Sequence, residues 1–224
     1  MNFLSHYYFD RDTTDCYFTL GTVLPDLLKN ADKTIILHPE KLVHPNLRVS
    51  SIIQGWNKHL LVDKYFHSSE FFLTHSHQLK KELAPAIAGS PVKPFFLGHI
   101  AIELILDNLL ITNNEVNVTD FYNHLDNCRE NIICEFLEFA GMKNPDVFLK
   151  FYDEFKHSRY LNTYINIDQI TYALKRICMR VWNNPFTQQH ERDMTAILTT
   201  YRLSLFDNYK SIYQEISSQL IQVS

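Results

Sequence analysis

The sequence predicts an all-α protein: a single compact helical domain of about eight to nine helices over residues 1–224, on three observations. Apolar side chains recur at i, i+3, i+4 and i+7 through most of the chain, the period of a helix with one buried face. Only 5 glycines and 8 prolines interrupt 224 residues, so long segments run without a breaker. Hydrophobic residues make up 46%, aromatics 13% and charged residues 21%, the balance of a globular chain rather than a disordered one, and the length suffices to bury a large core.

In order, helices are expected near 2–9, 16–30, 47–72, 75–83, 92–111, 119–140, 145–156, 166–183 and 188–220. Asn30 to Asn46, with Pro39 and Pro45, is the main irregular loop. Pro94 suits the first turn of the fifth helix, where its missing N–H costs nothing. Thr119 and Asp120 offer a cap for the next, and Gly141 closes it. The last segment carries Ile197, Leu198, Tyr201, Leu205, Tyr209, Ile212, Ile216 and Leu220, an apolar stripe that reads as a core-closing helix. No fixed-period repeat or low-complexity linker is present.

Charge and composition narrow the function. With 21 basic against 25 acidic residues the net charge is −4, and the longest basic run is the pair Lys80 and Lys81, so the footprint of a nucleic-acid duplex binder is missing. The opening MNFLSHYYFDRDTTD has no basic segment followed by an apolar run, so no signal peptide is expected. No transmembrane segment is expected either, because no uncharged apolar run reaches about 18 residues. Cys16, Cys128, Cys134 and Cys178 show no CxxC spacing and sit among apolar neighbours, which fits reduced thiols in a cytoplasmic protein.

Two stretches carry the chemistry. WNKHLLVDKYFH places His59, Asp63 and His67 four residues apart, and GHIAIELILD does the same with His99, Glu103 and Asp107. Side chains at i and i+4 stack on one helix face about 6 Å apart, so an imidazole and a carboxylate at that spacing can converge on one ion. The surrounding positions are largely apolar, so both triplets should face inward. Burying an unpaired carboxylate costs several kcal/mol, and a cation offsets that cost. The competing arrangement is an internal hydrogen-bond network between histidines and carboxylates of two core helices. His6 in MNFLSHYYF and Asp26 in GTVLPDLL are lone polar residues in apolar stretches that can complete a shell or act as hydrogen-bonded core residues. His38 and His44 lie in the Pro-containing loop and can cover the site, whereas His75, His77, His124, His157 and His190 have surface-like neighbours. The expectation is one centre, with His59, Asp63, His99 and Glu103 around a single point and His6 and Asp26 beside it.

At these residues the sequence resembles the acyl carrier protein phosphodiesterase family, helical enzymes of the HD-phosphohydrolase type. MNFLSHYYF is similar to that family's MNFLAH start, and GTVLPDLL to its G-N-x-x-x-D-F segment, matching Asp26. IIQGWNKHLLVDKYFHSS resembles its G-I-x-x-H-R-x-I-D-x-F-T-D-x-H stretch, matching His59 and Asp63, and IELILDNLL its D-x-x-x-D-H-x-L, matching Glu103 and Asp107. SRYLNTYINIDQITYALKRICMR is similar to a family segment ending in an arginine, here Arg180. The short matches span nearly the whole chain, and it departs from the pattern at Leu60 (Arg), His67 (Asp) and Asn108 (His), with His99 an added imidazole. In ligand order His6, Asp26, His59/Asp63, His67 and His99/Glu103 also resemble zinc-dependent phospholipase C and related nucleases.

Both resemblances imply a metal-dependent phosphodiester hydrolase. The expected metal ligands are His6, Asp26, His59, Asp63, His67, His99 and Glu103, and the expected catalytic residues are Asp107, outside the metal shell as general base, and Arg180. One or two divalent transition-metal ions are expected, Mn or Fe ahead of Zn, because carboxylates move an imidazole site towards harder ions. The substrate expected from the first family is acyl carrier protein, an acidic partner that Lys58, Lys64, Lys80, Lys81 and Lys93 can meet. A small phosphodiester, a phospholipase- or nuclease-like reaction, and ligand binding without chemistry are the alternatives. Oligomeric state stays open.

Overall fold

A computed structural model describes residues 1–222, and among them it contains eleven α-helices, one 3-10 helix and no strand. The helices are α1 (Phe3–Tyr8), α2 (Cys16–Ala31), α3 (Leu47–Ser68), α4 (Glu70–Ala86), α5 (Pro94–Thr112), α6 (Val118–Asn127), α7 (Glu130–Phe139), α8 (Asp146–Ser158), α9 (Ile167–Cys178), α10 (Gln188–Leu205) and α11 (Lys210–Ile221). The all-α class holds, with more helices than the eight or nine expected.

The extra helices come from breaks that apolar periodicity does not register. Phe121, Leu125, Cys128, Ile132 and Phe136 keep a helical spacing through the 119–140 segment, yet Cys128 and Arg129 are both extended, with ψ of 122° and 132°, and divide it into α6 and α7. Leu205, Tyr209, Ile212 and Ile216 likewise keep step across the turn that separates α10 from α11. Asn117, rather than Thr119 or Asp120, caps α6 by accepting from the N–H groups of both. Ser69 adopts ψ of 146° and caps α4 through the Phe72 N–H, so α4 starts five residues earlier than expected. Pro94 occupies the first turn of α5, and Gly141 follows α7 at φ 97°. A 3-10 helix, Tyr160–Ile165, fills a segment without a predicted element.

Contacts divide the chain, expected to form one domain, into two compact units. The first consists of His6–Asp63 and Val116–Asn162; the second of Met1–Ser5, Lys64–Glu115 and the segment from Thr163. In the first unit, Leu20, Leu24, Ile52, Phe121, Phe136 and Phe148 have no exposed surface. Its distinctive feature is the crossing of α2 and α3. A methyl group added at Gly21 would stand 2.3 Å from the Ile52 carbonyl oxygen and 2.9 Å from the Gly55 Cα; one at Gly55 would stand 2.2 Å from the Phe18 carbonyl oxygen. Only paired glycines let the two backbones touch there, one turn before His59.

In the second unit α5 is the core helix, packed against α4 and α9. Over an 18-residue window its mean hydropathy is 1.6, which makes it long and apolar enough to cross a membrane by length and composition, although no such segment was expected. Most of that window is enclosed by protein: Leu97, Ala101, Ile102, Ile105 and Leu109 have no exposed surface. A helix packed on all sides is apolar on all sides. At Gly98 a methyl group would meet the Ser76 carbonyl oxygen of α4 at 2.5 Å, so glycine again permits a close helix approach, one residue before His99. Further along α5, Asp107 accepts hydrogen bonds from the Ser5 N–H (2.8 Å), the Ser5 hydroxyl (2.7 Å) and the Leu4 N–H (3.3 Å), while Ser5 Oγ also meets the Tyr213 hydroxyl at 2.8 Å.

Gly21→Ala places a methyl against backbone that cannot swing aside. The overpacking cost, at the upper end of ~1–3 kcal/mol, exceeds the ~1 kcal/mol gain in helix propensity. We expect the midpoint of thermal unfolding to fall by roughly 4–8 °C, and Gly55→Ala to behave alike. Melting curves that match the parent protein would show that the close crossing is dispensable.

Candidate metal centres

The first unit holds a triad of His6 from α1 and His59 and Asp63 from α3, with one potential ligand atom on each and all three atoms within 4.8 Å of one another. The His6 and His59 rings are stacked, centroids 3.9 Å apart and planes 18° apart. Each faces one oxygen of the same carboxylate: His6 Nε2 is 3.3 Å from Asp63 Oδ1, and His59 Nε2 is 3.6 Å from Asp63 Oδ2.

His59 Nδ1 lies 2.9 Å from the Thr22 carbonyl oxygen on α2. A carbonyl only accepts, so Nδ1 carries the proton, and in the neutral ring the Nε2 lone pair is turned towards Asp63. His6 is 1% exposed, and neither of its ring nitrogens makes a hydrogen bond, because the 3.3 Å approach to Asp63 lacks hydrogen-bond geometry. Burial, and then the His59 ring stacked on it, push the His6 pKa down to about 3, so its imidazole is neutral near pH 7. Burial alone would raise the Asp63 carboxyl, but nearby groups, the facing His6 ring foremost, more than reverse that and hold it well below the usual carboxylate range. A buried His6 whose ring nitrogens make no hydrogen bond and a His59 oriented by Thr22 thus face an ionised carboxylate, an arrangement that a divalent cation fits.

The second unit holds the triad His67, His99 and Glu103, again with ligand atoms within 4.8 Å of one another. His67 Nε2 and His99 Nε2 lie 3.3 and 3.2 Å from the same oxygen, Glu103 Oε1, and the Met1 nitrogen is 3.5 Å from it. Phe72 stands edge-on to both imidazoles, with centroids at 4.9 and 4.8 Å, and walls one side of the cluster. Burial would raise the Glu103 carboxyl, but the Met1 nitrogen and the two histidines hold it below the usual range. This triad is more open, with the His99 side chain 45% exposed, and His67 approaches Glu103 with hydrogen-bond geometry. Here a shared proton can take the place of an ion, as in the competing hydrogen-bond network.

The candidate ligands are gathered into two triads, and the i, i+4 pairs His59/Asp63 and His99/Glu103 fall one in each. His6 joins a triad rather than standing beside it. Asp26 joins neither; its half-buried carboxylate is 4.0 Å from Lys29 Nζ, and its pKa is raised by burial against the pull of His59. Asp107 has no exposed surface, and its oxygens are engaged by Leu4 and Ser5, so its visible role is to anchor the N-terminal residues rather than to meet a substrate as general base. Arg180 is exposed in the turn after α9. Asn108 donates to the Tyr164 carbonyl (2.6 Å) and accepts from Arg202, a structural task within its unit, and Leu60 is 40% exposed. His38 pairs with Glu40, and His44 faces Glu135. Sequence reasoning missed the Thr22 carbonyl and Phe72; a backbone acceptor leaves no residue-type signal, and an aromatic in a helix stripe reads as core.

Comparison of the chain with protein-family models, curated proteins and solved structures finds no match.

With Mn, Fe or Zn supplied, elemental analysis should find about two ions per chain, one per triad. His59→Ala and His99→Ala should each remove about one, and the double variant both. Loss of all metal in either single variant would contradict two independent triads.

Burial pushes Asp107 up to about 7 from an ordinary 3.8, against the opposing hydrogen bonds from Ser5 and Leu4. The folded state therefore binds this proton more tightly than the unfolded one, so the Asp107 contribution to stability is fully present below pH 3.8 and is lost as pH rises through about 7. Asp107→Asn should remove that slope, the variant gaining on the parent in thermal midpoint between pH 4 and 8. A constant difference across the range would refute the assignment.

Proposed function

We propose that the protein is a metal-dependent phosphodiester hydrolase whose reaction centre is the His6, His59 and Asp63 triad, with His67, His99 and Glu103 holding a second ion. The observation that carries this reading is the state of the first triad: His59 is locked by Thr22 with its Nε2 towards Asp63, beside a buried His6 whose nitrogens have no hydrogen bond. Such a set is prepared for a cation rather than for a network of shared protons.

A divalent ion held there lowers the pKa of water that it binds and offsets the negative charge that grows on a phosphoryl oxygen. The chain's own residues hold and orient. Thr22 fixes the His59 tautomer, Asp63 supplies a carboxylate that stays ionised, and Asp26 adds a second carboxylate close enough to sense His59. Two imidazoles with one or two carboxylates suit Mn or Fe, then Zn.

The resemblance to acyl carrier protein phosphodiesterases supports a carrier-protein substrate, and Lys64, Lys80, Lys81 and Lys93 are exposed for an acidic partner, whereas Lys58 pairs with Asp10 at 3.2 Å. One observation favours the phospholipase- or nuclease-like alternative. His67 and His99, the histidines by which the chain departs from the carrier-protein pattern, are two of the three members of the second triad.

The test is turnover of a generic aryl phosphodiester, of holo acyl carrier protein, of a phospholipid and of single-stranded DNA, with each metal in turn. We expect the aryl ester to be cleaved, a chelator to stop the reaction, and His59→Ala to lower kcat by about 100-fold or more. Release of phosphopantetheine would select the first substrate class, and cleavage of phospholipid or DNA the second. No turnover of any of the four with any metal would overturn the hydrolase reading and leave a metal-binding protein without chemistry.

A further inference from the structure

The first unit contains a second reactive cluster that the hydrolase reading does not use. Cys16 is the first residue of α2, just after its N-cap Asp15, and Cys128 is the C-cap residue of α6. Cys128 Sγ lies 3.2 Å from the Cys16 carbonyl oxygen and 3.5 Å from the His124 carbonyl oxygen, which sets its thiol beside that of Cys16. All four cysteines are reduced. From this juxtaposition we infer that Cys16 and Cys128 are a redox modification site, a pair that closes into an intramolecular disulfide on reaction with a hydroperoxide.

The two sulfurs are prepared for different steps. The Cys16 thiol is held down to about 7, first by the hydrogen bond from Cys128 and then, against burial and the charge of Asp15, by the Cys16 and Tyr17 N–H groups at the start of α2. It is half-buried, so a small peroxide reaches it. Cys128 is buried, and its thiol is pushed far above the ordinary range, chiefly by donating to Cys16. Cys134 and Cys178 are both raised, first by burial, and no thiol partner faces either.

In the first step the Cys16 thiolate attacks one peroxide oxygen; the O–O bond breaks, Cys16 becomes a sulfenic acid, and hydroxide or alkoxide leaves. That step removes the negative sulfur that kept the Cys128 proton in place. Cys128 sulfur then attacks the sulfenic sulfur, the S–O bond breaks, and the departing oxygen takes the Cys128 proton and leaves as water. The peroxide is reduced and two thiols are oxidised to one disulfide. The bond joins α2, which carries Thr22 and Asp26, to the end of α6 within the same unit, and a thiol reductant reverses it.

The test uses the full chain at pH 7 with hydrogen peroxide, then alkylation, proteolysis without reductant and mass spectrometry. The expected result is loss of two of four titratable thiols, one linked peptide pair containing Cys16 and Cys128, and a thermal midpoint raised by on the order of 10 °C that a reductant restores. Cys128→Ser should leave a sulfenic acid at Cys16 that dimedone traps, and alkylation of Cys16 in the parent should show a midpoint near pH 7. Four free thiols after peroxide, or a link through Cys134 or Cys178, would overturn the assignment. The mapping on the parent protein decides the matter even if a variant fails to fold.

Discussion

The first triad depends on the contact of two helix backbones at Gly21 and Gly55. Because neither residue carries a side chain, α2 approaches α3 closely enough for a backbone carbonyl, that of Thr22, to reach an imidazole nitrogen one turn beyond Gly55. That hydrogen bond selects the His59 tautomer, and the tautomer decides which nitrogen faces Asp63. A packing constraint is thereby converted into an electronic one. Gly98 has the equivalent position on α5, bringing α4 against the turn that presents His99.

The helical class, most helix starts and the burial of His59 and Asp107 were legible in the sequence, because each follows from period and local chemistry, whereas His99 is more open than its apolar neighbours suggest. The divisions at Cys128 and at 206–209 were not, since the apolar residues stay in step across them and only backbone torsion reveals the turn. The i, i+4 pairs were legible as chelating geometry within one helix. Their assignment to two triads was not, because spacing along a helix says nothing about which imidazole from elsewhere in the chain arrives opposite. His6 shows this most directly: as a lone polar residue in MNFLSHYYF it is indistinguishable from a satisfied core histidine until its ring is seen stacked on His59 without a hydrogen bond. The isolated glycines within helices were the signal left unused.

The two triads share a composition of two histidines and one carboxylate but differ in the state that they hold ready. In the first, burial keeps His6 neutral, and its ring faces the carboxylate without a hydrogen bond. In the second, both histidines address one oxygen of Glu103 from a more open setting, where water and protons compete with an ion. Ligand affinity follows such preorganisation, since a shell that needs no rearrangement loses less on binding. The same residue types therefore give a closed cluster in one setting and a more open one in the other.

The tether between Ser5 and Asp107 spans 102 residues of sequence. In a chain made from its N-terminus, the residues beside His6 emerge first, yet the carboxylate that fixes them emerges only after α5 has been made. Loop closure over such a separation is a late event in folding. The amino-terminal residues of the second unit are therefore among the last to be tethered, held only once nearly half of the chain has been made.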